Sequence, residues 1–266
     1  MQIVDTHCHT SLAWFEPVEA LIHQMDENEV HHAVLVQIRG QYNNDYQFAC
    51  VERFPDRLAS VVGVDRAARD ADRDLEALKA RGARGIRLWA SWLDEGGLRL
   101  WRAAAALELP VSCNGSAAEF ASDEFSALVQ SLPQLPIVIE HFGASTNKDR
   151  DGVLDDVRRK VLALSRFPNT YMKIHGLGEF ATRSMPVAEP FPFERPIPPR
   201  LREIYDAFGA DRMMWGSNFP PVSQLEGYRN SLRLPMQEFA DVSERERAMI
   251  FGGAAMRLYR FGSAGR

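Results

Sequence analysis

The chain of 266 residues contains only three cysteines, Cys8, Cys50 and Cys113, and no two of them form a Cys-x-x-Cys pair. Such a sparse and odd-numbered set does not build a disulfide framework, and it suits a reducing compartment. No apolar run approaches the ~20 residues that a transmembrane helix needs. The first predicted strand starts at residue 2 or 3, which leaves no room for a signal peptide. We therefore expect a cytoplasmic protein.

The sequence also has little excess charge, with 31 basic and 36 acidic residues and a formal net charge of −5. The basic residues are scattered rather than clustered, so the chain lacks the electrostatic footprint of a nucleic-acid-binding protein. The 45% of hydrophobic and 25% of charged residues are typical of a globular domain. The expected partner is a small-molecule substrate, without nucleic acid or membrane, and a homodimer is left open.

Eight short β-rich segments alternate with segments of helical periodicity. The predicted helices include residues 119–132 and 153–167. After the first strand, the others are predicted at 33–37, 58–64, 85–88, 110–113, 136–140, 170–174 and 212–215. This alternation predicts parallel β-α units. Eight units in a chain of this length predict the α/β class and a closed (β/α)8 TIM barrel, a single domain over residues 1–266. An open doubly wound sheet is the alternative, but its Gly-rich phosphate fingerprint is missing.

A proline-rich stretch at residues 185–200 is too long for an ordinary connection between a strand and a helix. It is interpreted as a stiff loop over the top of the barrel, which forms a lid or a substrate wall. A surface loop without a role is the alternative.

Polar residues gather at the carboxyl ends of the predicted strands, where (β/α)8 barrels place their active sites. Four of the seven histidines, His7, His9, His141 and His175, are among them. Simple strand alternation puts Asp5, His7 and His9 on one face. The other residues at strand ends are Gln37, Arg39, Asp65, Arg87, Trp89, Asn114 and Asn218. Four imidazoles at one end of the barrel indicate a functional site.

Three motifs, VDTHCH at 4–9, EHFG at 140–143 and MWGSNFP at 214–220, resemble those of the amidohydrolase superfamily, in its amidohydrolase-related branch. The likeness extends to FGGAAMRLY at 251–259. Within that branch the chain is most similar to the lactonase group, which includes 2-pyrone-4,6-dicarboxylate lactonase and sugar lactonases. The resemblance implies a (β/α)8 hydrolase whose first-strand histidine pair is His7 and His9 and whose sixth-strand histidine is His141.

The chain departs from the superfamily pattern at two positions. Asn218 stands where the resemblance expects an aspartate that acts as general base or metal ligand, and an amide cannot take a proton from water. Asn114 stands where metal-dependent relatives have a histidine. We therefore expect no required cofactor. The alternative is one divalent metal, Zn²⁺ held by His7, His9 and His141 in an open site.

Without an aspartate at position 218, the candidate bases are His141 and His175, because imidazole pKa values lie near neutrality. His7, His9 and His141 would polarise the substrate carbonyl or bind its oxyanion.

The candidate substrate contacts are Arg39, Arg87, Trp89, Asn114 and Lys173. Arg87 presents a planar fork to a substrate carboxylate or, alternatively, forms a salt bridge within the protein. Lys173 shares the face of His175, one layer deeper. The favoured function is hydrolysis of a small carboxylated substrate, a lactone, by histidine-assisted attack of water on a carbonyl. The alternatives are a metal-dependent decarboxylase on the same fold and a binding protein that has lost its base.

Overall fold

A computed structural model describes residues 1–144 and 155–262, and it contains eight parallel strands in one sheet, in the order of the chain. The strands are β1 (Val4–Cys8), β2 (His32–Val36), β3 (Leu58–Val62), β4 (Gly85–Trp89), β5 (Val111–Asn114), β6 (Ile137–Ile139), β7 (Thr170–Ile174) and β8 (Met213–Trp215). The predicted (β/α)8 barrel is confirmed. The domain bounds of residues 1–266 stay a prediction, since 145–154 and 263–266 lie outside the described residues.

The barrel is closed by backbone contacts between the end of β1 and the residues that follow β8. Cys8 pairs with Phe219 in a parallel bridge. The His9 N–H donates to the Phe219 carbonyl at 2.8 Å, and the Asn218 N–H donates to the His7 carbonyl at the same distance. Closure therefore places the residues that follow β8 directly beside His7 and His9.

The pleat of the strands divides the core into two apolar clusters. Val34 and Val36 belong to an inner cluster with Met214, which the C-terminal helix covers through Tyr259. Their neighbour Leu35 belongs to the larger cluster between the sheet and the surrounding helices. Alternate residues of a strand point to opposite faces, so this is the arrangement that a barrel with a helical outer layer requires.

The described residues form eleven α-helices, the last of which covers the inner cluster. They are α1 (Val18–Glu27), α2 (Asp45–Arg53), α3 (Ala71–Ala80), α4 (Glu95–Ala106), α5 (Ala117–Phe120), α6 (Asp123–Ser131), α7 (Asp156–Leu162), α8 (Arg200–Phe208), α9 (Gly227–Glu238), α10 (Glu244–Ala248) and α11 (Ala254–Tyr259). None of the helices in the described part is long and apolar enough to cross a membrane.

Three helical segments differ from the sequence-based prediction. The helix predicted at 119–132 is divided into α5 and α6, because the Ser122 side chain accepts from the Phe125 N–H and starts a new helix. The segment predicted at 153–167 contains α7 and a short 3-10 helix, and residues 153–154 lie outside the described residues. Helix α9 was not predicted, since Pro235 lies inside it and proline normally argues against a helix interior.

The proline-rich stretch has neither helix nor strand until α8 begins at Arg200. Val187, Pro192 and Phe193 line a cavity of about 400 Å³ together with Gly178 and Glu226. Gly178 belongs to the 3-10 turn Leu177–Glu179 that follows β7. The stretch therefore lies beside the carboxyl end of β7, and its role as a lid stays a prediction.

Candidate active site

Four imidazoles meet at the carboxyl end of the barrel. The ring centroid of His7 lies 4.9 Å from those of His9 and His141 and 5.1 Å from that of His175. The His141 and His175 rings stack at 4.4 Å with an interplanar angle of 18°. His7 is the penultimate residue of β1, His141 comes two residues after β6 and His175 directly follows β7, so parallel strands of one barrel bring them together.

Hydrogen bonds determine the tautomers of two of these rings. The His9 Nδ1–H donates to the Val36 carbonyl at 2.7 Å. The His175 Nδ1–H donates to the Gly216 carbonyl at 2.8 Å. Burial lowers the pKa of both rings to about 3, so they are neutral at physiological pH and carry a lone pair on Nε2.

His7 differs because its neighbour is a buried ammonium. Lys173 Nζ lies 3.2 Å from His7 Nδ1 and donates to Ser112 Oγ at 2.9 Å. Burial lowers the pKa of Lys173, but only to about 8, so its ammonium form prevails at neutral pH. Burial and Lys173 lower the pKa of His7 well below its usual value. An ammonium donates into Nδ1, so neutral His7 carries its proton on Nε2. That Nε2 is buried and has no partner among the described residues.

A carboxylate that the sequence analysis missed balances Lys173 and Arg87. Glu140 accepts from Arg87 Nη2 at 2.8 Å, from Ser112 Oγ at 2.6 Å and from Asn114 Nδ2 at 3.0 Å. Burial would raise the pKa of Glu140, but Arg87 and Lys173 hold it well below its usual range. Glu140 directly precedes His141 at the end of β6, a position that could have drawn attention to it.

Arg87 therefore forms a salt bridge within the protein, with Glu140, which was one of the two roles predicted for it from the sequence. Its guanidinium side chain is only 8% exposed, and Nη1 donates to the Gln37 carbonyl at 2.9 Å. Arg39 is exposed, and its guanidinium carbon lies 6.0 Å from the centroid of Trp89, which Arg87 also approaches. Within the described residues Arg39 has no ion pair, so its positive charge is available to a ligand at the mouth of the site.

A second carboxylate missed by the sequence analysis lies at the mouth of the site. Glu179 Oε1 and Oε2 lie 3.1 Å and 3.2 Å from His141 Nδ1, and Asn218 Nδ2 donates to Oε1 at 3.3 Å. Burial would raise the pKa of Glu179, but His175 and His141 lower it to about 2. Burial lowers the pKa of His141, but Glu179 outweighs that effect and raises it above the usual value.

Two of the site residues have a left-handed backbone conformation. His141 has φ 51° and Asn218 has φ 58°, and Phe142, Gly143 and Ala144 continue the positive values. This region costs roughly 1–2 kcal/mol per residue for residues other than glycine, and such strain is concentrated at functional sites. A Cβ on Gly143 would lie 2.4 Å from Val161 Cγ1, so glycine is required there. The turn aims His141 at the site.

Asp5 is not part of this cluster, although simple alternation placed it beside His7 and His9. A β-bulge lies between Asp5 and Cys8, and it changes the register of β1. The Asp5 carboxylate instead accepts from Ser217 Oγ at 2.6 Å and from Tyr228 Oη, in α9, at 3.0 Å. It fixes the segment after β8 from the outer side of the barrel.

Three imidazoles are close enough together to hold one metal ion. Ligand atoms of His7, His141 and His175 all lie within 4.8 Å of one another, so the cluster is compatible with metal binding. The set expected from the sequence has His9 in place of His175. His9 also donates Nδ1–H to a carbonyl, that of Val36, but its ring stacks on Phe15 at 5.4 Å and it is not in that group of three.

Comparisons with known proteins agree with this fold. An amidohydrolase family model matches residues 4–261. L-fucono-1,5-lactonase of Burkholderia ambifaria is 30% identical over 139 residues, which are 50% of this chain and 44% of that protein. The matched part of the chain thus spans less than half the length of this curated relative.

Two solved structures are similar over almost the whole chain. A probable 2-pyrone-4,6-dicarboxylic acid hydrolase of Acinetobacter baumannii, with citric acid bound, has a TM-score of 0.74 at 21% identity and covers 98% of this chain and 100% of its own. An amidohydrolase of Burkholderia multivorans with bound zinc has a TM-score of 0.78 at 20% identity, with the same coverage. At these identities the likeness establishes the fold.

Proposed function

Because the chain belongs to the amidohydrolase family, we propose that it hydrolyses a small carboxylated lactone by attack of water on the ring carbonyl. The observation that carries this proposal is the unpartnered Nε2–H of His7 within a cluster of four imidazoles, in which the rings of His9, His141 and His175 surround that of His7. The lactonase among the curated relatives supports the substrate class.

His7 is suited to stabilise the oxyanion that forms when water adds to the carbonyl. A donor that is buried and already oriented is worth about 10²–10³ in rate at such a position. Lys173 keeps the proton on His7 Nε2 and adds positive charge behind the ring. The negative charge that develops on the carbonyl oxygen is therefore matched by a donor that needs no rearrangement.

His141 is better suited than His175 to act as the base. Both His175 nitrogens are engaged, since Nδ1–H donates to Gly216 and Nε2 accepts from the His141 backbone N–H at 3.3 Å. The His141 side chain is 24% exposed, and its pKa is raised rather than lowered. A base reaches its greatest efficiency when its pKa lies near the working pH.

Arg39 is the residue that we propose to bind the substrate carboxylate. Arg87 is occupied by Glu140, whereas Arg39 is exposed beside the Trp89 ring. The indole gives a flat apolar wall against which a ring can pack. Asn114 donates to Glu140, and Lys173 donates to Ser112. We therefore propose that these two residues act on the substrate only through their neighbours.

We further propose that no metal is required. His175 Nε2 already accepts from the His141 backbone N–H, whereas His141 donates Nδ1–H to an oxygen and presents Nε2, as zinc ligands do. His7 does not, because the Lys173 ammonium faces its Nδ1. In the alternative, His7, His141 and His175 would hold Zn²⁺, which would supply Lewis-acid polarisation of the carbonyl, and Lys173 would have to be neutral.

A panel of small lactones, each with and without a carboxylate, tests the proposal on protein stripped of metal by chelation. We expect ring opening that is fastest for carboxylated lactones and is unchanged by added zinc. His7→Ala should lower kcat about 10²–10³-fold, whereas His23→Ala, an exposed residue of α1, should leave it unchanged. Activity that returns only with zinc would overturn the metal-free mechanism. Release of CO₂ would favour the decarboxylase, and no turnover would favour the binding protein.

A further inference from the structure

Glu179 lies where it can control the tautomer and the orientation of His141. Both of its carboxylate oxygens are within 3.2 Å of His141 Nδ1. A carboxylate only accepts, so His141 carries a proton on Nδ1 and directs the lone pair of Nε2 to the site. The His175 ring, which stacks on the His141 ring at 4.4 Å, limits rotation of the His141 side chain.

Asn218, which follows the neighbouring strand β8, contacts the same carboxylate. Its Nδ2 donates to Glu179 Oε1 at 3.3 Å, and its own backbone N–H is held by the His7 carbonyl at 2.8 Å. An aspartate at 218 would put two carboxylates in contact in a buried site, and like charges at this distance cannot both remain ionised. An amide is therefore the side chain that suits this neighbour.

We infer that Glu179 and His141 form a carboxylate–histidine dyad in which His141 is the base, Glu179 is its positioning residue and Asn218 holds Glu179 as a hydrogen-bond donor. The inference deepens the proposed hydrolysis and rests on it. A similar division of roles between a base and an orienting carboxylate recurs on unrelated folds.

The dyad accounts for each proton of the reaction. His141 Nε2 takes a proton from water while the water oxygen bonds to the carbonyl carbon, and the oxyanion lies on His7 Nε2–H. Collapse of the tetrahedral intermediate re-forms the carbonyl and breaks the bond to the ring oxygen. The imidazolium of His141 returns its proton to that leaving alkoxide, so lactone and water give one hydroxy acid.

A double-mutant cycle on the intact protein tests whether the two residues act as a unit. We expect Glu179→Gln to lower kcat about 10²–10⁴-fold with KM within about threefold, because the wrong tautomer is no longer excluded. The variant His141→Ala should lower kcat by at least the same factor. In the double variant kcat should fall by no more than in the weaker of the two single variants, since the effects of residues that act as a unit are non-additive. A merely structural Glu179 would give additive losses.

Three further variants sharpen the result. Glu179→Asp keeps the charge and should retain an intermediate rate, which also covers the case in which Glu179→Gln does not fold. Asn218→Asp should lower kcat at least about tenfold. Glu226→Gln is the matched control, because that carboxylate accepts from the Gly178 N–H in the same turn rather than from a histidine. A rise in rate for Asn218→Asp, or an effect of Glu179→Gln below threefold, would overturn the dyad.

The same variants are assayed on the lactone panel and on an activated aryl ester. If only the ester is turned over and the cycle is non-additive, the dyad stands and the lactonase proposal fails. If lactones are opened and the cycle is additive, the lactonase proposal stands and the dyad is refuted. If the parent protein hydrolyses neither, both are refuted.

Discussion

Replacing Arg87 by methionine removes the guanidinium that holds Glu140, and the fold should lose much of its stability. The Glu140 side chain is completely buried, and it would keep only Ser112, Asn114 and the nearby Lys173 as partners. Removing one partner of a buried ion pair costs about 3–5 kcal/mol, because the other charge remains uncompensated. Since Lys173 still offsets part of that charge, we expect about 3 kcal/mol. In a protein of this size that corresponds to a fall in Tm of roughly 6–12 °C.

Urea unfolding and thermal scans of three variants measure this effect. Arg39→Met is the matched control, since its guanidinium is exposed, and its free energy of unfolding should change by less than about 0.5 kcal/mol. Arg87→Met with Glu140→Gln should recover part of the loss, because the amide carries no charge. A loss below 1 kcal/mol for Arg87→Met, together with a KM for carboxylated lactones raised more than about tenfold, would refute this reasoning. Arg87 would then be the substrate clamp.

Lys173→Met frees Nδ1 of His7 to carry the proton. The affinity for zinc, measured in competition with a chromophoric chelator, should therefore rise, and kcat in the absence of metal should fall about tenfold or more. An unchanged zinc affinity would contradict the proposed tautomer of His7. Acid should destabilise the protein through Glu179. Burial would raise the pKa of this carboxyl group, but His175 and His141 lower that pKa to about 2. The stabilising contribution is fully present above the unfolded pKa of about 4.3 and is lost as the pH falls toward 2, about 3 kcal/mol in all. Urea midpoints measured from pH 5 to 2 should fall less steeply in Glu179→Gln, and equal slopes would show that another group is responsible.

The barrel and its histidines could be predicted from sequence because both depend on local patterns. Short strands alternate with helices through the whole chain, and three of the four histidines come at or just after a strand end. Parallel strands direct their carboxyl ends to one side, so strand position alone gathers these side chains. Helix α9 was missed because Pro235 contradicts the local pattern, whereas tertiary packing of Leu232 and Leu234 favours the helix.

The charge network could not be predicted, because it depends on contacts between distant segments. Arg87 and Glu140 are 53 residues apart in the chain, and only the closed barrel makes them partners. Glu179 contacts His141 across 38 residues from a short turn that no periodicity marks. Asp5 was placed on the wrong face because the bulge in β1 has no signature in the sequence. A signal for Glu179 was its position four residues after His175.

Hydrolysis in water enriched in ¹⁸O tests the central claim most directly, that this chain opens a lactone by attack of water on the carbonyl carbon. The substrate is the lactone of the panel with the highest kcat/KM, and the protein is free of metal. We expect mass spectrometry to find one ¹⁸O atom in the new carboxylate and none in the new hydroxyl group. Label in the hydroxyl group, label-free product, or loss of CO₂ would contradict the account.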